Sequence, residues 1–137
     1  MKKITPSKEN YLKVILELSN YGDIRSIDIV NALGVSKASV SCMLNVLKSE
    51  GYVVKEKYGT VGLTENGRNV ANHVKRKYEL LKRFLNDIVG VEAVTAAEDA
   101  CRMEHLISFE TTDKIAQQLE KLTKRTNDEI IVCGDDV

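Results

Sequence analysis

Apolar positions recur at helical spacing along most of the chain. Tyr11, Leu12, Val14, Ile15 and Leu18 share one face of a first helix. Thr5-Pro6 opens it, because threonine caps a helix start and proline gives up an N–H that would be unpaired there anyway. Gly22, after Tyr21, ends it. Ser26 is the expected cap of a second, short helix that turns Ile27, Ile29, Val30 and Leu33 inward and stops at Gly34. Ser36 opens a third, with Val40, Met43, Leu44 and Leu47 inward and Gly51 behind it. The period then changes. Residues 52–63 are β-branched and aromatic, broken by Tyr58-Gly59-Thr60, which predicts a two-stranded hairpin. Thr64 caps a long helix reaching to about Val89, and its second half carries Leu80, Leu81, Phe84, Leu85 and Ile88. A fifth helix is expected from about Glu92 to Ser108 and a sixth from about Thr111 to Arg125. Beyond Thr126, Ile130-Ile131-Val132 reads as a short strand, or, with Asp135-Asp136 behind it, as a fraying end.

The expected fold is therefore mainly α with a small β-hairpin wing. Residues 1–72 are expected to form a winged helix-turn-helix, and residues 73–137 a second, helical domain. Composition agrees with this: 137 residues, 43% hydrophobic and 29% charged, suit one domain or two small ones and exclude a disordered chain. No apolar run reaches the roughly 18 residues of a membrane span. No apolar segment follows the charged start Met1-Lys2-Lys3, so no export signal is read there. Cys42, Cys101 and Cys133 are an odd set without framework spacing, which points to reduced thiols in a cytoplasmic protein.

The net charge of zero hides an asymmetry. Residues 1–89 hold 15 Lys and Arg against 9 Asp and Glu, whereas residues 90–137 hold 5 against 11. A basic front suits an anionic partner, although solvated surface can pattern this way by chance. The order of elements decides between them. Leu33-Gly34-Val35-Ser36 joins two helices in the short glycine-containing turn that helix-turn-helix geometry requires. The helix it leads into begins with small polar residues, Ser36, Lys37, Ala38, Ser39 and Ser41, which fit a major groove about 12 Å wide. Lys37 and Lys48 on that helix, with Lys55 and Lys57 on the wing, would neutralise phosphates of double-stranded DNA. This helix has no arginine, and Asn45 is its only asparagine, so readout through hydroxyls, methyl groups, water and DNA shape is expected. The stretch from Leu33-Gly34-Val35-Ser36 through Glu50-Gly51-Tyr52-Val53 to Leu63-Thr64-Glu65-Asn66-Gly67-Arg68 resembles the winged helix-turn-helix regulators of bacteria.

Cys101, Glu104 and His105 fall at i, i+3 and i+4, which places them on one face of the expected fifth helix. A thiolate, a carboxylate and an imidazole together suit a divalent transition metal better than magnesium or calcium. By spacing alone, a small core cysteine beside an ordinary Glu–His pair explains the same residues. A thiol nucleophile with a histidine base needs a third orienting group. None is evident, nor is a phosphate loop or a nucleophile elbow, so an enzyme is not expected.

Across residues 5–125 the chain resembles the diphtheria-toxin-repressor-like family of metal-dependent regulators, in its short two-domain form. The resemblance rests on Thr5-Pro6-Ser7-Lys8-Glu9-Asn10-Tyr11-Leu12, on residues 76–85, and on Asp99-Ala100-Cys101-Arg102-Met103-Glu104-His105-Leu106-Ile107-Ser108. It implies a homodimer formed through Leu80, Leu81, Phe84, Leu85 and Ile88, and a repressor acting on metal homeostasis. It also implies metal ligation by Cys101, Glu104 and His105, one ion per chain, with Fe(II) favoured over Mn(II), Co(II), Ni(II) or Zn(II).

The departures bear on the metal. Asn10 stands where the family supplies a ligand from the first helix, and a neutral amide is a poor donor to a soft ion. Lys13 replaces the glutamate of the manganese-responsive branch. Tyr78 replaces a ligand histidine, and Lys82 and Ala97 stand at further ligand positions. Two readings follow: a single-site metalloregulator using Cys101, Glu104, His105 and Asn10, or a metal-independent regulator whose site has decayed. His73 has no partner at ligand spacing and reads as surface.

Overall fold

The computed structural model describes residues 4–135; the side chains of Lys57 and of residues 125–135 lie outside that description. Helix α1 spans Pro6–Ser19, and Thr5 Oγ1 accepts the Lys8 N–H at 3.3 Å. A two-residue strand, β1 (Ile24–Arg25), leads into α2 (Ser26–Leu33), which Gly34 closes at φ 66°. Helix α3 is Lys37–Ser49, started by Ser36, whose Oγ accepts the Ser39 N–H at 3.1 Å. Strands β2 (Val53–Lys55) and β3 (Thr60–Leu63) are joined through a tight turn at Lys57–Gly59.

Two expectations change in this region. The sheet has three strands, not two, because β1 pairs with β3: Ile24 lies opposite Val61 and Arg25 opposite Thr60. The start of α2 is capped one residue earlier than expected. Arg25 is the extended N-cap residue, and Asp28 Oδ2 accepts its backbone N–H at 2.9 Å, so Ser26 is already helical.

The chain divides into two compact units, Met1–Arg76 and Lys77–Val137, with the division inside α4 (Glu65–Arg83). The first is built on one core. Leu12, Ile15, Ile29, Val40, Leu44 and Leu47 are fully buried, with Ile24, Val53, Val61 and Ala71 around them. Each such side chain contributes about 1.5–3 kcal/mol by leaving water. The apolar spacing of α1, α2 and α3 is thus spent on a single interior, and the opposite face of α3 is left outward. The start of α4 is pinned to this unit by Thr64: its Oγ1 accepts the Gly67 N–H at 3.1 Å and donates to the Gly51 carbonyl at 2.6 Å.

In the second unit α4 passes into a π-helical turn, Phe84–Val89, ended by Gly90 at φ 86°. Helix α5 is Ala93–Met103 and α6 is Phe109–Asp135. Leu81, Ala96, Ala100 and Leu119 are buried here. Helix α5 stops five residues short of the expected Ser108. The N–H groups of Leu106 and Ile107 both turn back to the Met103 carbonyl, at 3.0 and 3.1 Å. Ser108 then caps the next helix, its Oγ accepting the Thr111 N–H at 3.2 Å. Helix α6 also runs past the expected Arg125, so Ile130-Ile131-Val132 are helical and not a strand. The expected fraying falls partly on Asp136, outside the described residues.

Candidate functional site

The third helix shows one buried and one open face. Val40, Leu44 and Leu47 are fully buried. Ser36, Lys37, Ala38, Ser39, Ser41, Cys42, Asn45 and Lys48 are exposed. The exposed N-terminal end of α3 concentrates backbone N–H groups and the positive end of its dipole, both suited to phosphate. The wing is tied to this helix, since Lys55 Nζ approaches Asn45 Oδ1 at 3.5 Å. The side chain of Lys57 lies outside the described residues. Two residues join this face that periodicity did not single out. Arg25 is exposed on β1 and is brought beside the wing by its pairing with Thr60. Tyr58, at the wing tip, is 87% exposed and is the single described non-glycine residue with positive φ, 70°. A two-residue strand leaves no alternating pattern to read, and backbone strain at Tyr58 leaves no sequence signal at all.

Behind the recognition face, burial raises the Tyr11 hydroxyl above its ordinary pKa, and the neighbouring Cys42 thiol adds to the effect.

The second constellation sits at the end of α5, in the second unit. Cys101 lies in the last turn of the helix, and its side chain is exposed. Glu104 is the residue that closes the helix and is fully buried. His105 lies past the helix end, its Nε2 3.2 Å from Glu104 Oε1, and its Nδ1 is buried. The expected single helical face is therefore interrupted: Glu104 and His105 come together and Cys101 does not join them. Lys77 braces the corner, donating to the Ile107 carbonyl at 3.0 Å with its ammonium 4.2 Å from the centre of the Phe109 ring. Asn10 is half-buried on α1 in the first unit, and Lys13 on the same helix is 7% exposed. Lys82 Nζ lies 5.9 Å from the Tyr78 ring centre, a cation against an aromatic face. Among the described residues no group of three or more His, Cys, Asp or Glu side chains is gathered to hold an ion. The donors in this arrangement do not fit a divalent metal, which takes at least three protein ligands in zinc sites. His73 is exposed on α4.

Of the apolar residues expected between subunits, Leu81 is buried, Leu80, Phe84 and Leu85 are half-buried, and Ile88 is 44% exposed. The same unit exposes Val89, Val94, Leu106 and Phe109, at 55%, 66%, 82% and 56%. No single helix among the described residues is long and apolar enough to cross a membrane.

Comparison with known proteins places this arrangement. Residues 3–61 match the iron dependent repressor N-terminal DNA binding domain, and residues 64–131 match the iron dependent repressor metal binding and dimerisation domain. The HTH-type transcriptional regulator MntR of Lysinibacillus sphaericus (strain C3-41) is 35% identical over 117 residues, covering 85% of this chain and 84% of that protein. The structure of the manganese regulator SloR superposes with a TM-score of 0.74 at 33% identity, over 85% of this chain and 55% of that one. The metal-dependent transcriptional regulator MtsR superposes with a TM-score of 0.78 at 29% identity, again over 85% and 55%. The chain thus spans about half the length of those two regulators. With both domain matches in sequence order and a relative covered over most of its length, the chain belongs to the iron-dependent repressor family of winged-helix transcription regulators.

Proposed function

We propose that this chain is a homodimeric DNA-binding transcription regulator, acting as a repressor, that reads a two-fold operator with α3 and its wing. The observation that carries this reading is the outward face of α3. Eight small or polar side chains and an exposed helix start are presented on a helix whose other face is locked in the core. Lys37, Lys48, Lys55 and Arg25 supply charge for phosphates around that face, and base readout falls to Ala38, Ser39, Ser41 and Asn45. The exposed apolar residues of the second unit, with the dimerisation domain match, support association through that unit. Two copies would place two α3 helices on successive turns of one DNA face, about 34 Å apart. The matched relatives are transcription regulators rather than enzymes. Metal activation, with Fe(II) as the first expectation, has no support from the donors as they are arranged.

Selection from a random duplex library tests this reading. It should yield an inverted repeat whose half-site centres lie about one helical turn apart. Recovery of no preferred sequence, at any salt concentration, would contradict it.

A further inference from the structure

We infer that this chain binds its operator without a metal ion, its buried Glu104 carboxylate being satisfied within the protein, with His105, rather than by a bound cation.

A fully buried carboxylate needs donors or an opposite charge, because losing water without replacement costs several kcal/mol, roughly, per ion. His105 Nε2 stands 3.2 Å from Glu104 Oε1, placed to supply one such donor when that nitrogen carries the proton. That separation by itself does not decide the matter. Two donors on one small ion, each about 2.0–2.2 Å from it, also lie roughly 3 Å apart. Their surroundings decide it. An ion on this pair alone would have to fill its remaining positions with water, since metals poor in protein ligands keep their aqua ligands. Glu104 has no solvent-exposed surface to admit water. The third protein donor is the alternative source, and Cys101 is turned to solvent. No other carboxylate, thiol or imidazole among the described residues completes a group of three.

The consequence for operator affinity rests on the DNA-binding reading above; the absence of a metal site does not. Two measurements on the full chain therefore go together. In the first, Mn(II), Fe(II), Co(II), Ni(II) and Zn(II) are each titrated by calorimetry into reduced, chelator-treated protein, with Glu104→Gln, His105→Gln and Cys42→Ser as controls whose folding is checked by circular dichroism. No ion should bind at Glu104 and His105 at one per chain with a Kd near 1 µM or below, about −8.2 kcal/mol. Zinc held equally by the parent and Glu104→Gln, but lost in Cys42→Ser, is a surface thiol contact and agrees with the inference. One ion per chain, lost in folded Glu104→Gln or His105→Gln, would overturn it. In the second, affinity for the selected duplex is measured with chelator and with each metal. The two should agree within about twofold, whereas a tenfold gain with any metal, about 1.4 kcal/mol, would overturn the inference. If no duplex binds under either condition, the DNA-binding reading fails, and the titration still decides the metal question.

Discussion

Gly67 shows how closely single residues are fitted. A Cβ built there would stand 2.0 Å from the Tyr52 carbonyl oxygen and 2.9 Å from its carbon, both backbone atoms that cannot step aside. Gly67→Ala should therefore destabilise the protein, by about 1–3 kcal/mol as for other overpacked sites, read as a lower urea midpoint at unchanged slope. Tyr11 gives a pH dependence whose sign is fixed by its environment. Burial first, and Cys42 second, raise its pKa from 10.0, so the folded state holds the proton more tightly than the unfolded chain. Its contribution is fully present below pH 10.0 and is lost as pH rises through the higher folded value. Thermal unfolding between about pH 9 and pH 11 should fall more steeply for the parent than for Tyr11→Phe. Parallel curves would contradict the assignment.

Among the elements, the start of α4 is where one side chain joins two. Thr64 caps that helix and also donates to Gly51 at the end of the third. Thr64→Ala removes both bonds and should cost about 1–2 kcal/mol, more than an ordinary surface cap, while Thr64→Ser should recover most of it. Equal stability of parent and alanine variant would show that the two bonds contribute nothing. Elements of this kind were the readable part of the chain. Thr5, Ser36 and Thr64 cap helices, and Gly34 ends one, as their chemistry requires. The apolar spacing of Leu12, Ile15, Val40, Leu44 and Leu47 marks the core for the same reason. The rest depends on contacts that spacing does not encode. The strand at Ile24–Arg25 exists only through pairing with β3. The Cys101-Glu104-His105 spacing assumes an unbroken helix, and the backbone turns at Met103 instead. Helical spacing put three donors on one face; the turn brings two together and leaves the third in solvent.

For the whole molecule, the charge asymmetry and the exposed apolar residues are two halves of one arrangement. The basic half contains α3 and the wing, and the acidic half contains the exposed Val94, Leu106 and Phe109. Association through the second unit would cover that surface and leave both recognition helices free for DNA. Val94 is 66% exposed on α5, so Val94→Asp should leave the single chain folded while weakening the dimer. Sedimentation equilibrium should give twice the chain mass for the parent and the single-chain mass for the variant. Operator affinity should fall with dissociation, because each half-site contact then binds alone. A parent that sediments as a monomer would remove the dimer from this account.

Ser39→Glu tests most directly whether α3 reads DNA. Glutamate three residues after Ser36 completes a capping box and sits at the positive end of the helix, so the fold gains a favourable contact rather than losing one. The same charge would face phosphates and base edges. Fluorescence anisotropy with the selected duplex should show affinity lower by about 100-fold, near 2.7 kcal/mol, at an unchanged or higher unfolding midpoint. Parent-like affinity in that variant would mean that DNA is held by another surface.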